Sequence, residues 1–301
     1  MNTLPSTSAA EPRRALVLGG GGSTGNAWLI GVVAGLAAGG LDATTAELIV
    51  GTSAGSTAAA QLTGADAAEL YAAALVPPPP QPGSPFASAG PAARTVDHLS
   101  RTDAIIAAAS DASDMRRRMG ASALALEASS DEAAQARWRA TVASRLPRAS
   151  WPGQTVRITA VDARTGEPVV FDRDSGVELV DAVAASCAGG FAYRIGDRWY
   201  IDGGYRANAD NADLASGYDR VLVLSPFAGR TRFPAQWGLD PAAQLDALRA
   251  EGSRVASIVP ADEEEHLFGG NAMNLARRPD AARAGYRQGL ARAAELASVW
   301  D

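Results

Sequence analysis

Short aliphatic runs bounded by glycine or polar residues recur along the chain. Residues 15–18 (ALVL), 48–50 (LIV), 221–224 (VLVL) and 256–259 (ASIV) are too short for an amphipathic helix. Such runs are typical of strands that are buried on both faces of a parallel sheet. Ala-rich stretches of helical composition follow the first two runs. The pattern therefore predicts an α/β fold without internal repeats.

The second half of the chain also contains a hairpin pattern. Residues 156–161 and 168–171 are strand-like and are separated by residues 162–166 (DARTG), which predicts a β-hairpin. The other elements predicted here are a helix at 178–186, a strand at 198–201 and a closing helix at 279–300.

The middle of the chain predicts a proline-rich loop followed by helices. Residues 77–91 contain four consecutive prolines together with serines and glycines, which suit neither a helix nor a strand. Residues 102–148 are rich in alanine, arginine, leucine and methionine and predict two or three helices. We expect residues 77–150 to be an insert within a single domain of residues 13–301, preceded by a disordered segment, residues 1–12.

Composition narrows the functional classes. The chain has 301 residues, 47% of them hydrophobic, and a net charge of −6, which indicates a globular protein and argues against a nucleic-acid partner. No apolar run reaches the roughly 18 residues that span a bilayer, and residues 1–14 lack the hydrophobic core of a secretory signal, so we expect a cytoplasmic protein. The single cysteine, Cys187, excludes an internal disulfide and a cysteine-based metal site.

Basic residues are concentrated in the predicted insert. Between residues 113 and 150, seven arginines accompany four acidic residues, a local net charge of +3. Two interpretations stay open: a solvated helix face, which is the simpler one, and contact with anionic lipid headgroups.

A glycine-rich turn, residues 19–25 (GGGGSTG), follows the first predicted strand. Its backbone N–H groups could hold an anionic oxygen. Gly20, Gly22 and Gly25 also fit the dinucleotide-binding fingerprint, but the second predicted strand does not end in the acidic residue that binds a ribose. A mononucleotide P-loop is no better, since no lysine follows the glycines.

The second predicted strand runs into residues 51–55 (GTSAG). This G-x-S-x-G form places Ser53 on a tight bend before a helix, with its hydroxyl exposed as a nucleophile. A serine hydroxyl needs an adjacent base. An α/β-hydrolase order of Ser53, Asp202 and His266 is conceivable, but that fold has several strands before its nucleophile, whereas only one strand can precede the elbow strand here. His266 lies in an acidic run, and His98 has no acidic neighbour at catalytic spacing.

Asp202 is the best placed carboxylate, because it ends a hydrophobic strand and two glycines follow it. A Ser53–Asp202 dyad would transfer the proton directly, with N–H groups of Gly21, Gly22 and Ala54 stabilising the oxyanion. An ordinary aspartate is a weak base, so we expect desolvation to raise the pKa of Asp202.

The motifs at residues 20–25, 51–55 and 202–204, in this order and at these strand ends, resemble those of the patatin-like phospholipases. These are serine acyl hydrolases with a Ser-Asp dyad. The resemblance covers about residues 13–208 and implies a three-layer α/β/α fold with a mainly parallel sheet and a helical insert. It implies Ser53 as nucleophile and Asp202 as base. It also implies that the oxyanion hole is formed by Gly20, Gly21, Gly22 and Ala54. The residues that support the serine bend and the turns are Gly25, Gly51, Gly55, Gly203 and Gly204.

The sequence also departs from the family pattern. Thr24 stands where a basic residue commonly precedes the last glycine of the turn, which leaves the oxyanion to backbone amides and the helix dipole. Residues 185–191 (ASCAGGF) resemble a segment that lines the site, although Gly-Gly-Phe replaces its Pro-rich ending. Asn208 fits a polar position that helps to hold the aspartate loop.

The resemblance implies hydrolysis of a lipid or small carboxylic ester through an acyl-enzyme, without metal or organic cofactor. Residues 75–86 and the helical insert are candidates for a cleft wall or a lid, and transient contact with a membrane surface is compatible with this activity. Two other functions stay open: a nucleotide-binding protein that uses the first glycine turn, and a lipid-binding protein of the same fold without turnover. The oligomeric state stays undetermined.

Overall fold

A computed structural model describes residues 11–77 and 91–300, with the backbone alone for residues 91–97. Eight strands of these residues form one sheet in the order β5-β6-β3-β2-β1-β7-β8, with β4 paired to β3. The strands are β1 Arg14–Leu18, β2 Leu48–Gly51, β3 Thr155–Asp162, β4 Pro168–Phe171, β5 Tyr193–Ile195, β6 Arg198–Asp202, β7 Arg220–Leu224 and β8 Arg254–Ile258.

The centre of the sheet is parallel and one edge is antiparallel. β3, β2, β1, β7 and β8 run in the same direction, whereas β4 and β6 each pair antiparallel to β3, and β5 pairs antiparallel to β6. The predicted hairpin is confirmed, because Ile158 pairs with Phe171 and Val161 with Pro168. Its turn is held by Asp162, whose Oδ1 accepts the N–H groups of Arg164 and Thr165.

Helices cover both faces of the sheet. They are α1 Gly22–Ala38, α2 Ala54–Leu62, α3 Ala67–Ala74, α4 Pro91–Ala108, α5 Ala112–Leu124, α6 Glu127–Ser130, α7 Glu132–Ala143, α8 Leu179–Ser186, α9 Pro241–Ala250 and α10 Arg278–Trp300. Alternate residues of β1 point to opposite faces: Leu16 and Leu18 join the core beneath α1, α2, α8 and α10, and Ala15 and Val17 join the core beneath α9. The three-layer α/β/α architecture is thus confirmed.

The predicted loop and insert differ in detail from the structure. Residues 78–90, most of the proline-rich segment, and residues 1–10 of the N-terminal segment lie outside the described part of the chain. Pro91 is the first residue of α4 rather than a loop residue, which agrees with the tolerance of a first helical turn for proline. The insert has three helices of three turns or more and the single turn α6, one element more than the composition predicts.

The first and last long helices pack parallel and unusually close. A Cβ atom on Gly31 or Gly35 would lie 2.2 Å from a carbonyl oxygen of α10, and one on Gly285 or Gly289 would lie 2.2 Å from a carbonyl oxygen of α1. Larger residues at these four positions would force the helices apart. This contact sets the N-terminus of α10 beside the N-terminus of α1, where the glycine-rich turn ends.

Candidate functional site

Ser53 occupies a strained bend between β2 and α2. Its φ is +51°, a value that residues other than glycine rarely adopt. The bend is held by the Ser53 N–H, which donates to Ser186 Oγ at 2.9 Å. Gly55 allows the helix to start close to the sheet, since a Cβ atom there would lie 1.8 Å from the Leu18 carbonyl oxygen. Gly51 is equally confined, with the backbone of Ser56 2.6 Å from the position of a Cβ atom.

Sheet pairing brings Asp202 to Ser53 across β3. Gly51 of β2 is in register with Ile158, and Ala160, two residues further along β3, is in register with Asp202 of β6. Because Ser53 lies two residues beyond Gly51, its side chain reaches the level of Asp202. Ser53 Oγ donates a hydrogen bond to Asp202 Oδ2 at 2.8 Å.

The loop after Asp202 is held by backbone contacts that only glycines allow. Asp202 Oδ1 accepts the Gly204 N–H at 2.8 Å, and the Asp202 N–H donates to the Ala188 carbonyl. A Cβ atom on Gly203 would lie 2.1 Å from Thr159 Oγ1. These contacts fix the carboxyl group so that one oxygen faces the loop and the other faces Ser53.

The electrostatic environment makes Asp202 a stronger base than a solvated aspartate. Burial raises its pKa to about 6, while hydrogen bonds from the Gly204 N–H and the Ser53 hydroxyl act in the opposite direction. The direction agrees with the expectation from the sequence. At neutral pH the carboxyl group is ionised and retains a higher proton affinity than an ordinary aspartate.

The pH dependence of ester hydrolysis follows from this pKa. The ionised carboxylate is the basic form, so we expect kcat/KM for a neutral ester to fall as pH decreases through about 6, by about tenfold per pH unit below it. Initial rates measured between pH 4.5 and 8.5 check the midpoint. A midpoint near 7 that disappears in a His98→Ala variant would show instead that an imidazole is the base.

The glycine turn lies against the serine bend, but its N–H groups are not equally available. A Cβ atom on Gly20 would lie 3.6 Å from Ser53 Cβ, and one on Gly25 would lie 3.9 Å from Ala54 Cβ. The Gly20 N–H donates to the Ala209 carbonyl at 2.8 Å, so the expectation that Gly20 contributes an oxyanion donor is wrong. The N–H groups of Gly21, Gly22 and Ala54 have no acceptor among the described residues.

The two histidines lie elsewhere in the hydrogen-bond network. His98 contacts Tyr205 Oη through Nε2 at 3.4 Å and Arg101 through Nδ1 at 3.3 Å. Burial and then the charges of Arg101 and Arg232 lower the pKa of His98, which favours a neutral ring. His266 is exposed, and its Nδ1 lies 3.0 Å from the Glu263 carbonyl. Within the described structure, neither imidazole hydrogen-bonds to Ser53 or Asp202.

Ser186 and Asn211 support the site without having been predicted, whereas Asn208 was expected from the sequence to help hold the aspartate loop. Ser186 holds the serine bend, and Asn211 Nδ2 donates to Thr52 Oγ1 at 2.9 Å and to the Gly203 carbonyl at 3.1 Å. Asn208 acts one step away, because its Oδ1 accepts the N–H groups of residues 210 and 211. The polar residues from Asn208 to Asn211 could have indicated a supporting role in the sequence. The contact of Asn211 with Thr52 could not, because it spans 159 positions.

Cys187 packs beneath the nucleophile as a small side chain. Its Sγ lies 3.0 Å from the Ser53 carbonyl oxygen and 3.5 Å from the hydroxyl groups of Ser56 and Thr57. Burial and the nearby Asp202 charge raise the pKa of this thiol. A thiol held protonated in this way is a weak nucleophile at neutral pH.

A cavity of about 10 Å³, close to the size of one water molecule, adjoins the Asp202 side of the site. Gly189 is one of its lining residues, and a Cβ atom there would lie 3.6 Å from Asp202 Oδ2. Helices α4 and α5 supply much of the opposite wall through His98, Thr102 and Met119. Helices α4 and α5 of the predicted insert therefore line the cavity next to Asp202.

A second buried carboxyl group lies behind the glycine turn. Asp210 Oδ1 has no hydrogen-bond partner among the described residues, and a Cβ atom on Gly19 would lie 2.2 Å from it. Burial raises the pKa of Asp210 to about 6, with the Ser225 hydroxyl acting in the opposite direction. Ionisation of Asp210 therefore destabilises the folded state at neutral pH.

Replacing Asp210 with asparagine should stabilise the protein in a pH-dependent way. The folded-state pKa lies above the unfolded value of about 3.9, so the native protein loses stability as pH rises from about 4 to about 6. We expect Asp210→Asn to raise the free energy of unfolding by about 2 kcal/mol at pH 8 and to change it little at pH 4.5. Urea unfolding at both pH values checks this, and an equal effect at both would contradict it.

The sequence matches the model of a known protein family. The sequence model of the patatin-like phospholipases matches residues 16–215, two thirds of the chain, including both glycine motifs and Asp202. The chain belongs to the patatin-like phospholipase family. No curated protein matches the sequence.

Two solved structures are similar to this patatin-like protein. VipD from Legionella pneumophila is 14% identical with a TM-score of 0.44, and the alignment covers 96% of this chain and 68% of VipD. The type III effector protein ExoU is 14% identical with a TM-score of 0.39, and the alignment covers 94% of this chain and 53% of ExoU. Among residues 11–77 and 91–300, no helix is both long and apolar enough to cross a membrane.

Proposed function

We propose that this patatin-like protein hydrolyses the carboxylic esters of lipids through an acyl-enzyme on Ser53, with Asp202 as the base. The observation that carries the proposal is the 2.8 Å hydrogen bond from Ser53 Oγ to Asp202 Oδ2 at a strained strand-to-helix bend. Membership of a phospholipase family supports a lipid substrate. A cytoplasmic location and transient contact with a membrane surface stay predictions from the sequence.

Acylation starts from the hydrogen-bonded dyad. Ser53 Oγ attacks the ester carbonyl carbon while its proton moves to Asp202 Oδ2. The negative charge that develops on the carbonyl oxygen is stabilised by the free N–H groups of Gly21, Gly22 and Ala54 and by the N-termini of α1 and α2. The tetrahedral intermediate then expels the alcohol, which takes the proton from Asp202, and the acyl group remains on Ser53.

Deacylation repeats these steps with water as the nucleophile. Asp202 removes a proton from a water molecule that attacks the acyl carbonyl, and the same N–H groups stabilise the second oxyanion. Collapse of this intermediate releases the fatty acid, and the proton on Asp202 returns to Ser53 Oγ. The raised pKa of Asp202 suits both halves, because the carboxylate must accept a proton and then give it back.

A fluorophosphonate probe tests the proposal. We expect covalent labelling of Ser53, located by peptide mass spectrometry, and protection from labelling by a medium-chain lipid ester. Absence of labelling together with lipid binding would favour a non-catalytic lipid-binding protein. Absence of labelling together with saturable NAD or ATP binding would favour a nucleotide-binding protein.

A further inference from the structure

Two arginines of residues 113–150 that have no salt bridge lie just after α7. Five of the seven arginines between residues 113 and 150 are tied to neighbouring groups: Arg117 and Arg118 to Asp114, Arg137 to Asp131, Arg139 to Asp181 and Glu178, and Arg116 to the carbonyl oxygens of Gly166 and Arg206. Arg145 and Arg148 form no salt bridge with any described residue. Arg116 has only neutral acceptors, so the unpaired positive charge of residues 113–150 is divided between Arg116 and the segment just after α7, where Arg145 and Arg148 are exposed.

A further arginine without a counter-ion, Arg278, lies at the start of α10. Arg278 Nη1 donates to the Ser23 carbonyl at 2.8 Å and to Ser23 Oγ at 3.2 Å, and both Nη atoms lie 3.2 Å from Asn26 Oδ1. All these acceptors are neutral oxygens, and Arg278 forms no salt bridge within the described ranges. The parallel packing of α1 and α10 holds this guanidinium beside the turn whose N–H groups are the proposed oxyanion donors.

Hydrogen bonds through Asn26 and Gln61 connect Arg278 to the backbone of Arg145. Asn26 Nδ2 donates to Gln61 Oε1 at 2.9 Å, and Gln61 Nε2 donates to the Arg145 carbonyl at 3.1 Å, so a chain of hydrogen bonds joins the backbone of Arg145 to Arg278. Burial and then the positive charge of Arg145 lower the pKa of Arg278. Two like charges that interact with one another, and that form no salt bridge with a described residue, attract an anion more strongly than either does alone.

Arg145 also adjoins an apolar surface. Its guanidinium lies 5.7 Å from the centre of the Trp138 ring, and Trp138 packs edge-on against Phe191 at 5.9 Å between centroids. Phe191 belongs to the segment that leads to Asp202, and both rings are partly exposed. A cationic pair beside aromatic rings fits an amphiphile better than a free inorganic anion.

We propose that Arg145 and Arg278 bind the phosphate group of a phospholipid or lysophospholipid substrate at the entrance to the Ser53 site. The assignment rests on the proposed acyl-hydrolase function and narrows its substrate to esters that carry a phosphate near the scissile bond. Planar guanidinium groups match the oxygens of a phosphate, and each can donate two hydrogen bonds to it.

Binding of non-hydrolysable ether lipids tests this assignment without requiring turnover. The probes are 1-O-decylglycerol 3-phosphate, 1-O-decylglycerol and inorganic phosphate, each titrated calorimetrically below the concentration of micelle formation. We expect the wild-type protein to bind the phosphate ether about tenfold more tightly than the neutral ether. Arg145→Gln should abolish this difference, and Arg145→Lys should retain most of it.

Arg164→Gln is the matched control, because Arg164 is exposed in the hairpin turn and forms no salt bridge with a described residue. Equal affinity of the wild type for the two ethers, or equal effects of Arg145→Gln and Arg164→Gln, would overturn the assignment. Inorganic phosphate that binds as tightly as the phosphate ether would also overturn it, since the site would then be one for free anions. Phosphate-dependent binding without fluorophosphonate labelling would leave the anion site intact and reject the hydrolase.

Discussion

Replacing Ser53 with alanine is expected to lower lipid-ester hydrolysis by at least about a thousandfold, because no other nucleophile is activated in the described site. Among residues 11–77 and 91–300, Ser53 Oγ is the only hydroxyl that donates to Asp202, and burial raises the pKa of the Cys187 thiol beneath it. Hydrolysis of a short p-nitrophenyl ester and of a medium-chain lipid ester, with circular dichroism to verify folding, measures the effect.

The Ser53→Ala variant should stay folded and be only slightly less stable than the wild type. The native bend holds Ser53 at a φ of +51°, which is a cost to folding that the alanine variant shares, and only one side-chain hydrogen bond is lost. Ser130→Ala, at the exposed end of α6, is the matched control and should retain full activity. Retention of more than about a tenth of the wild-type activity by Ser53→Ala would reject Ser53 as the nucleophile.

Asp202→Asn should lower hydrolysis by a similar factor while leaving the protein folded. An asparagine side chain keeps the shape of the carboxyl group and can still accept the Gly204 N–H, but it cannot accept the proton of Ser53. Because burial raises the pKa of Asp202, the ionised group destabilises the native state, and its removal should raise the unfolding temperature at pH 8. Activity and thermal unfolding of one preparation measure both effects.

Asp197→Asn is the control for this variant, since Asp197 is fully exposed in the turn between β5 and β6, the strand that ends in Asp202. It should change neither activity nor stability. Loss of activity in Asp202→Asn together with loss of secondary structure would leave only a structural role for the aspartate, and the basic role would then be rejected. Loss of activity with a higher unfolding temperature is the expected combination for a functional carboxylate held at a cost to stability.

The central strands and the motifs at their ends were predictable because they depend on local pattern. The runs at residues 15–18 and 221–224 are aliphatic on both faces, and the structure places them side by side in the parallel part of the sheet. Once such strands are parallel, the turns at their carboxyl ends must meet at one edge. This is why the glycine turn after β1 and the serine bend after β2 could be assigned to one site, whereas Asp202 ends the antiparallel strand β6 and was assigned through its motif.

The allocation of individual hydrogen bonds could not be read from the sequence. Gly20 has the same chemistry as Gly21, and only the position of the Ala209 carbonyl removes its N–H from the oxyanion site. The contact of Arg278 with Ser23 spans 255 positions and depends on the close packing of α1 and α10. Local propensity contains no information about such pairs, so sequence patterns identify the elements but not these contacts.

The central claim is that Ser53 is activated by Asp202 without an imidazole, and the rate of fluorophosphonate labelling tests it most directly. The measurement compares the wild type, Asp202→Asn, and a variant that combines His98→Ala with His266→Ala, at pH 8 and equal probe concentration. We expect the histidine-free variant to be labelled at close to the wild-type rate and Asp202→Asn to be labelled at least about a hundredfold more slowly. Slow labelling of the folded histidine-free variant, with rapid labelling of Asp202→Asn, would contradict the account.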